Sequence, residues 1–225
     1  MGQAIGQVLP LAVGVALSPV PIIAVVLILV APRARLNGPT FVLGWIVGLG
    51  ILGAIVFAVA DPAGATSDGQ PATWVDVLKF VLGLLLLAVA VKQWRGRPRA
   101  DDEPATPKWM GAIEGFGPGK AFVAGAVLAG ANPKNALLSI AAAASIAAAA
   151  VSSGEEAVAY GVFAVIGSVG VAAPVVIYFS MGERAGALLD GLNRWMARNN
   201  AVIMAVLLVV IGAKLVGDAI SGFSS

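Results

Sequence analysis

Apolar residues in this chain run in long blocks, and polar residues gather in the short gaps between them. Six blocks stand out, at about 5–31, 38–60, 74–93, 119–151, 155–180 and 199–220. A helix that crosses a bilayer needs ~20 mainly apolar residues, within a range of ~17 to 25, and four of the blocks have that length. The first and fourth are longer. A continuous helix over 119–151 would reach ~50 Å, well beyond the ~30 Å of a hydrocarbon core. Both long blocks carry helix breakers near their middles: Ser18-Pro19-Val20-Pro21 in one and Asn132-Pro133-Lys134-Asn135 in the other. The pattern predicts an all-α integral membrane protein of six transmembrane helices, with helices 1 and 4 broken.

Charge adds an orientation. The first gap holds Arg33 and Arg35, and the second, about 61–73, holds Asp61 and Asp68 with no base. The third holds Lys92, Arg95, Arg97, Arg99, Lys108 and Lys120, the fourth Glu155 and Glu156, and the fifth Arg184, Arg194 and Arg198. Cytoplasmic loops are enriched in Lys and Arg. Loops one, three and five are therefore expected inside and both termini outside, in a multi-pass protein. With three helices per half, the second half enters from the opposite side. The expected organisation is two inverted three-helix repeats, 1–93 and 119–225, joined by a cytoplasmic linker at 94–118. The linker is Pro-rich and mixed in charge, the composition of a tether. In the second repeat Ala185, Leu188, Leu189, Leu192, Trp195 and Met196 recur at three- and four-residue steps. That spacing predicts an interfacial amphipathic helix at 183–198.

The breaks are the candidate site. Proline lacks an N–H and clashes with the turn before it, so it frees backbone carbonyls that lipid cannot satisfy. Two interruptions at corresponding places in two halves point to a substrate site where the halves meet. The substrate-binding candidates are Ser18, Pro19, Pro21, Asn132, Pro133, Lys134 and Asn135. A simple kink accounts for one isolated proline; two matched breaks, one carrying a charge, favour a site. Lys134 is the sharpest of these residues, because a Lys at the bilayer centre costs ~2.5–3.5 kcal/mol on insertion scales. Its expected counterpart is a freed carbonyl of the first block or an anionic group on a substrate. The competing reading is a structural Lys snorkelling along its helix.

Near the outer end, Asp76 and Lys79 stand three apart and Lys214 and Asp218 four apart, spacings that allow same-face pairs. The favoured reading is interfacial anchoring with snorkelling lysines; the alternative is an outer gate. Gly44, Gly48, Gly161, Gly167, Gly170 and the alanines of 141–150 read as surfaces for close helix packing.

Composition excludes several classes. The chain is 59% apolar and 12% charged, against about a quarter charged in soluble domains, so it lacks the polar surface that water requires. Its net charge of +2 comes from the basic loops rather than a nucleic-acid-binding patch. It has no Cys and no His, which removes disulfides and thiolate chemistry and the commonest metal ligand. No metal or cofactor is expected, and no nucleophile–base set or acid pair suggests an enzyme. Met1 to Gly6 has no basic n-region, so the first block is expected to be a span rather than a signal peptide.

Ser18-Pro19-Val20-Pro21-Ile22 and Asn132-Pro133-Lys134-Asn135, with the helix count and topology, resemble the LysE transporter superfamily over nearly the whole chain. Within it the sequence looks most like the GAP branch, the peptidoglycolipid- and sulfolipid-addressing proteins. The superfamily's amino-acid exporters more typically carry Pro-Gly-Pro in the first helix, and this chain departs from that. The resemblance implies an inner-membrane transporter or facilitator that helps export a glycolipid or lipid precursor, with a larger lipid exporter as a candidate partner. Two alternatives stay open: a proton-coupled exporter of amino acids or small amphiphiles, and a non-transporting scaffold for a larger lipid pump. A homodimer is the expected assembly, as the commonest oligomer.

Overall fold

The computed structural model describes residues 1–60, 66–67, 70–71, 73–97, 115–149 and 151–224. The chain forms α1 (Gly2–Ala16), α2 (Pro19–Val30), α3 (Ala34–Ala60), α4 (Thr73–Arg95), α5 (Pro118–Gly130), α6 (Pro133–Ala147), α7 (Ser153–Met181) and α8 (Ala185–Phe223). Between α3 and α4 lies a short antiparallel pair, β1 (Thr66–Ser67) with β2 (Gln70–Pro71). Most of the expected linker falls outside the described residues, as do Asp61 and Asp68.

Both breaks occur where the prolines require them, and they share one local geometry. Pro19 has no N–H to give the Val15 carbonyl, and the Ser18 N–H bonds Val15 O instead, at 3.1 Å. Ser18 is extended, with φ −78° and ψ 109°, as the residue before a proline prefers. Pro19 then opens α2 at the first helical position, where its missing N–H costs nothing. Asn132 repeats this with φ −72° and ψ 113°, and Pro133 opens α6. The α1–α2 bend is 50°. At α7 the entry is a capping box, with Ser152 and Glu155 exchanging side-chain and backbone bonds.

Among the described residues four helices, α3, α4, α7 and α8, are each long and apolar enough to cross a membrane, and the bent pair α1–α2 makes a fifth crossing if taken as one span. The chain is therefore a multi-pass membrane protein. The block at 119–151 is divided into helices of 13 and 15 residues, each too short to span ~30 Å alone. The stretch at 183–198 is not a separate element. After a 3-10 turn at Gly182–Arg184, residues from Ala185 onward run without interruption into the last span as one 39-residue helix. The apolar periodicity is real, with Ala185, Leu189 and Met196 buried, but no breaker separates it from the span. Leu188 and Trp195 face outward.

The outer surface is apolar. On α3, Leu43, Val47, Ile51, Ile55 and Val59 are all exposed at four-residue steps, a stripe suited to lipid rather than water. Charge divides between two ends. The Met1 ammonium lies 3.8 Å from the Glu155 carboxylate, so the N-terminus and the start of α7 share one end. Asn37 Nδ2 donates to the Phe116 carbonyl at 2.8 Å, so the starts of α3 and α5 share the other, with Arg33 beside Gly117.

Helices meet closely where side chains are smallest. A Cβ on Gly44 would overlap the Phe122 carbonyl, one on Gly48 the Ala126 carbonyl, and one on Gly125 the Phe41 carbonyl, so α3 and α5 pack backbone to backbone. Gly170 meets the Ala16 carbonyl in the same way, joining α7 to α1, and Gly83 and Gly212 face each other across α4 and α8. Gly161 is different: a Cβ there would meet open space. The alanines from Ala141 to Ala148 are buried, as a thin packing helix requires. Overpacking a seam costs ~1–3 kcal/mol. Gly44→Leu is therefore expected to lower the melting midpoint of the detergent-purified protein by about 5 °C or more, whereas Gly50→Leu, where a Cβ meets nothing within 4 Å, leaves it unchanged.

Candidate functional site

The break in the first broken helix leaves the Gly14 carbonyl without its ordinary partner. In a continuous helix the Ser18 N–H would bond Gly14 O, but it has turned to Val15. The Lys134 ammonium fills the place: its Nζ donates to Gly14 O at 2.6 Å. Lys134 comes from the second break, 120 residues away, and is 3% exposed. Gly14 is small enough to let this happen, for Ile211 of α8 and Leu138 of α6 close over it. The interaction seals α1 to α6 under apolar cover.

The second break has a parallel solution. Leu128, four residues before Asn132 as Gly14 is before Ser18, has a carbonyl that accepts from Asn135 Nδ2 at 3.4 Å. The Gly14 and Leu128 carbonyls each take a side-chain donor, one from the opposite half and one from its own. Two polar atoms are left over. Ser18 Oγ and Asn135 Oδ1 are buried and have no hydrogen-bond partner among the described residues. Buried polar groups without partners are uncommon and mark places where a ligand or water can bind.

The seven predicted residues separate into three groups. Ser18, Lys134 and Asn135 carry buried polar chemistry at the breaks, and Pro19 and Pro21 are buried beside Ser18. Asn132 is occupied as a helix cap, its Oδ1 accepting the Lys134 backbone N–H at 3.1 Å. Pro133 is exposed and acts through the backbone alone. Sequence reading missed Gly14, although the four-residue step back from Ser18 points to it. It also missed Tyr160, whose hydroxyl donates to Leu49 O at 2.8 Å and lies beside Ser139. Tyr160 is buried against Gly53 and ring-stacked with Phe57 and Phe163.

The pairs at the other end differ from each other. Lys214 and Asp218 form a half-exposed pair one turn apart on α8, which fits an anchor. Asp76 and Lys79 are not snorkelling: at 4% and 7% exposure they form a buried ion pair at 3.3 Å. The reason is tertiary. Gly222 of α8 offers no side chain, and the Asp76 carboxylate occupies the space its Cβ would fill. Lys134 is thus one of three buried charged side chains among the described residues, and the one outside any ion pair there.

With this geometry in place, comparison with known proteins gives one match. The family described as Sap, sulfolipid-1-addressing protein, matches residues 8–221, and the chain belongs to that family. No curated relative and no solved structure matches it.

Two stability tests follow. Lys134→Met removes the donor to Gly14 O, and a buried acceptor left unmade costs ~1–3 kcal/mol. Amide hydrogen exchange in residues 14–20 is expected to quicken in Lys134→Met, and not in the exposed control Lys120→Met. Breaking a buried pair from one side costs ~3–5 kcal/mol, while replacing both partners with apolar residues is near neutral. Asp76→Leu should therefore melt well below the wild type, and Asp76→Leu with Lys79→Met should recover most of the loss in the same thermal assay.

Proposed function

We propose that this member of the sulfolipid-1-addressing family helps move an anionic lipid across the membrane, with the lipid's charged group passing through the meeting point of the two helix breaks. The observation that carries the proposal is the Lys134–Gly14 contact. A buried ammonium is held there by a carbonyl dipole rather than a carboxylate. A sulfate or phosphate is a stronger partner, because it brings a full opposite charge where the carbonyl brings only a dipole, and that attraction is large away from water. The unpartnered Ser18 and Asn135 oxygens lie in the same two breaks, and Ser18 Oγ can donate to an anion that reaches it. The family's description names a sulfolipid, which fits a basic site flanked by apolar helices.

In this reading α5 and α6 together make a sixth crossing, and α1–α4 and α5–α8 are inverted repeats. The packing supports it. Exchanging each helix with its counterpart turns the α3–α5 contact into α7–α1, α2–α8 into α6–α4 and α3–α6 into α7–α2, all of which occur. The exchange is uneven at the site itself. The α1–α6 contact sealed by Lys134 is extensive, while its counterpart between α2 and α5 is slight. Inverted repeats work by rocking one half against the other around a fixed site. Arrival of an anion that draws Lys134 from Gly14 frees α1 from α6, and the alternate state closes α2 on α5. Loop charge orients the protein with the Arg33–Lys120 end in the cytoplasm, so the sealed end is the outer one.

The test is lipid transfer in proteoliposomes, read by chemical quenching of headgroup-labelled lipid analogues. The wild type is expected to speed inward-to-outward transfer of a net-anionic analogue, bearing a sulfate or phosphate with no cationic group, over a zwitterionic phosphocholine one. Lys134→Met should lose about tenfold or more of that rate, the size of one charge-assisted hydrogen bond. A wild type that moves neither analogue would favour a scaffold acting with a larger lipid exporter. Full activity in Lys134→Met would remove the helix-break site from the mechanism.

A further inference from the structure

The seam between α4 and α8 is filled along most of its length by large side chains, with Leu82 and Leu86 of α4 and Leu208 and Leu215 of α8 all buried. Toward the basic end of α4 the filling changes. Ala90 and Ala205 are buried there, and two alanines do not fill the space that leucines fill higher up. The result is a groove of about 410 Å³ with these alanines in its lining, within the ~300–1,000 Å³ of small-ligand sites. Its other apolar lining is Val91 on one side and Val206, Val209 and Val210 on the other, and all four valines are exposed on the outer face of the bundle.

The mouth is of a different character. Trp94 and Arg95 complete the lining. Trp94 is itself overlaid by Arg97, whose guanidinium carbon sits 4.1 Å from the indole centroid and whose Nη1 donates to the Trp94 carbonyl at 3.3 Å. Arg97 is therefore engaged, whereas Arg95 is in none of the ion pairs among the described residues. Lys92, one turn earlier, is also exposed. One apolar furrow at membrane depth thus ends in an indole and an uncommitted guanidinium, the level at which membrane proteins place Trp and Arg against headgroups.

We propose that this groove is a binding site for an anionic bilayer lipid, with one acyl chain lying between Val91 and Val209 and the headgroup phosphate on Arg95. The chemistry selects the occupant. The walls suit a hydrocarbon chain, and the lateral opening admits one from the bilayer without passage through water. A guanidinium binds phosphate through paired N–H donors, and a lipid of net negative charge is favoured over phosphatidylcholine, whose choline cation offsets its phosphate and repels Arg95. The site is separate from the helix breaks and stands whether or not they carry a substrate. Its occupant bridges α4 and α8.

Tryptophan quenching by lipids with brominated acyl chains tests it. The purified full chain is placed in nanodiscs of phosphatidylcholine in which the fraction of either brominated phosphatidylglycerol or brominated phosphatidylcholine is raised stepwise. Subtracting the signal of Trp94→Phe isolates Trp94 from the other indoles. Quenching of Trp94 is expected to reach half-effect at about fivefold less brominated phosphatidylglycerol than brominated phosphatidylcholine, the factor that one basic residue confers toward an anionic lipid. Arg95→Gln, an exposed change that leaves the fold intact, should bring that ratio to about one, and Val209→Phe, which fills the furrow, should weaken quenching by both lipids. Equal quenching by both lipids in the wild type, or a preference that Arg95→Gln leaves in place, would overturn the proposal and leave only unselective boundary lipid.

Discussion

The structure turns on a backbone carbonyl that has lost its helical partner in a place where water cannot supply another. A break in a helix in aqueous solution is cheap, because solvent takes over the freed groups. In lipid each such group costs several kcal/mol unless protein satisfies it. Pro19 and Pro133 create that debt in both broken helices, and the chain meets it with Lys134 on Gly14 O and Asn135 on Leu128 O. Lys134 has the complementary difficulty, since a buried ammonium is also costly without a partner. Each group answers the other's need. The contact therefore does more than close a gap: it ties the first broken helix to the second at the point where both are weakest.

That tie places demands on the rest of the fold. For the Lys134 side chain to reach α1, α1 must lie close to α6 and α7, and the small residues make room. Gly14 lets Ile211 and Leu138 close over the contact, and Gly170 lets α7 touch the backbone of α1. On the opposite side Gly44, Gly48 and Gly125 bring α3 against α5 in the same manner. Without a hydrophobic drive between helices in lipid, such close backbone approach is the main source of packing energy. The glycines and the breaks are thus parts of one solution, because the breaks deprive α1, α2, α5 and α6 of the length that would otherwise stabilise them.

Two buried charge centres handle desolvation differently, and the difference bears on function. Asp76 and Lys79 neutralise each other within one helix, under cover from Gly222, and such a pair has little left to offer a ligand. Lys134 is matched by a carbonyl dipole and is in no ion pair among the described residues. In the proposed mechanism this is why an anionic lipid group can displace Gly14 from Lys134, while the Asp76–Lys79 pair stays closed within α4 beneath Gly222. The groove near Arg95 is a third arrangement, a cation left at the rim where the bilayer itself supplies the anion.

Much of this was legible in the sequence. Block length and composition called for membrane helices, because lipid demands ~20 apolar residues whatever the fold. Ser18-Pro19 and Asn132-Pro133 specified where two helices stop, because proline's missing N–H is a local fact that no tertiary context alters. The spacing of Asp76 with Lys79 and of Lys214 with Asp218 announced both pairs. What the sequence did not contain was which partner Lys134 would find, since a carbonyl 120 residues away becomes its neighbour only when α1 and α6 pack. Nor could it tell a buried pair from an exposed one: Asp76 and Lys79 are covered because Gly222 happens to face them. The stretch at 183–198 was read as a separate surface helix from its periodicity, yet it runs into the last span, because nothing in its backbone forces a stop. The sequence by itself determined where helices begin, end and tolerate lipid, which are local properties of the backbone and its medium. The tertiary structure decided which freed groups meet, because that depends on distances between segments far apart in the chain.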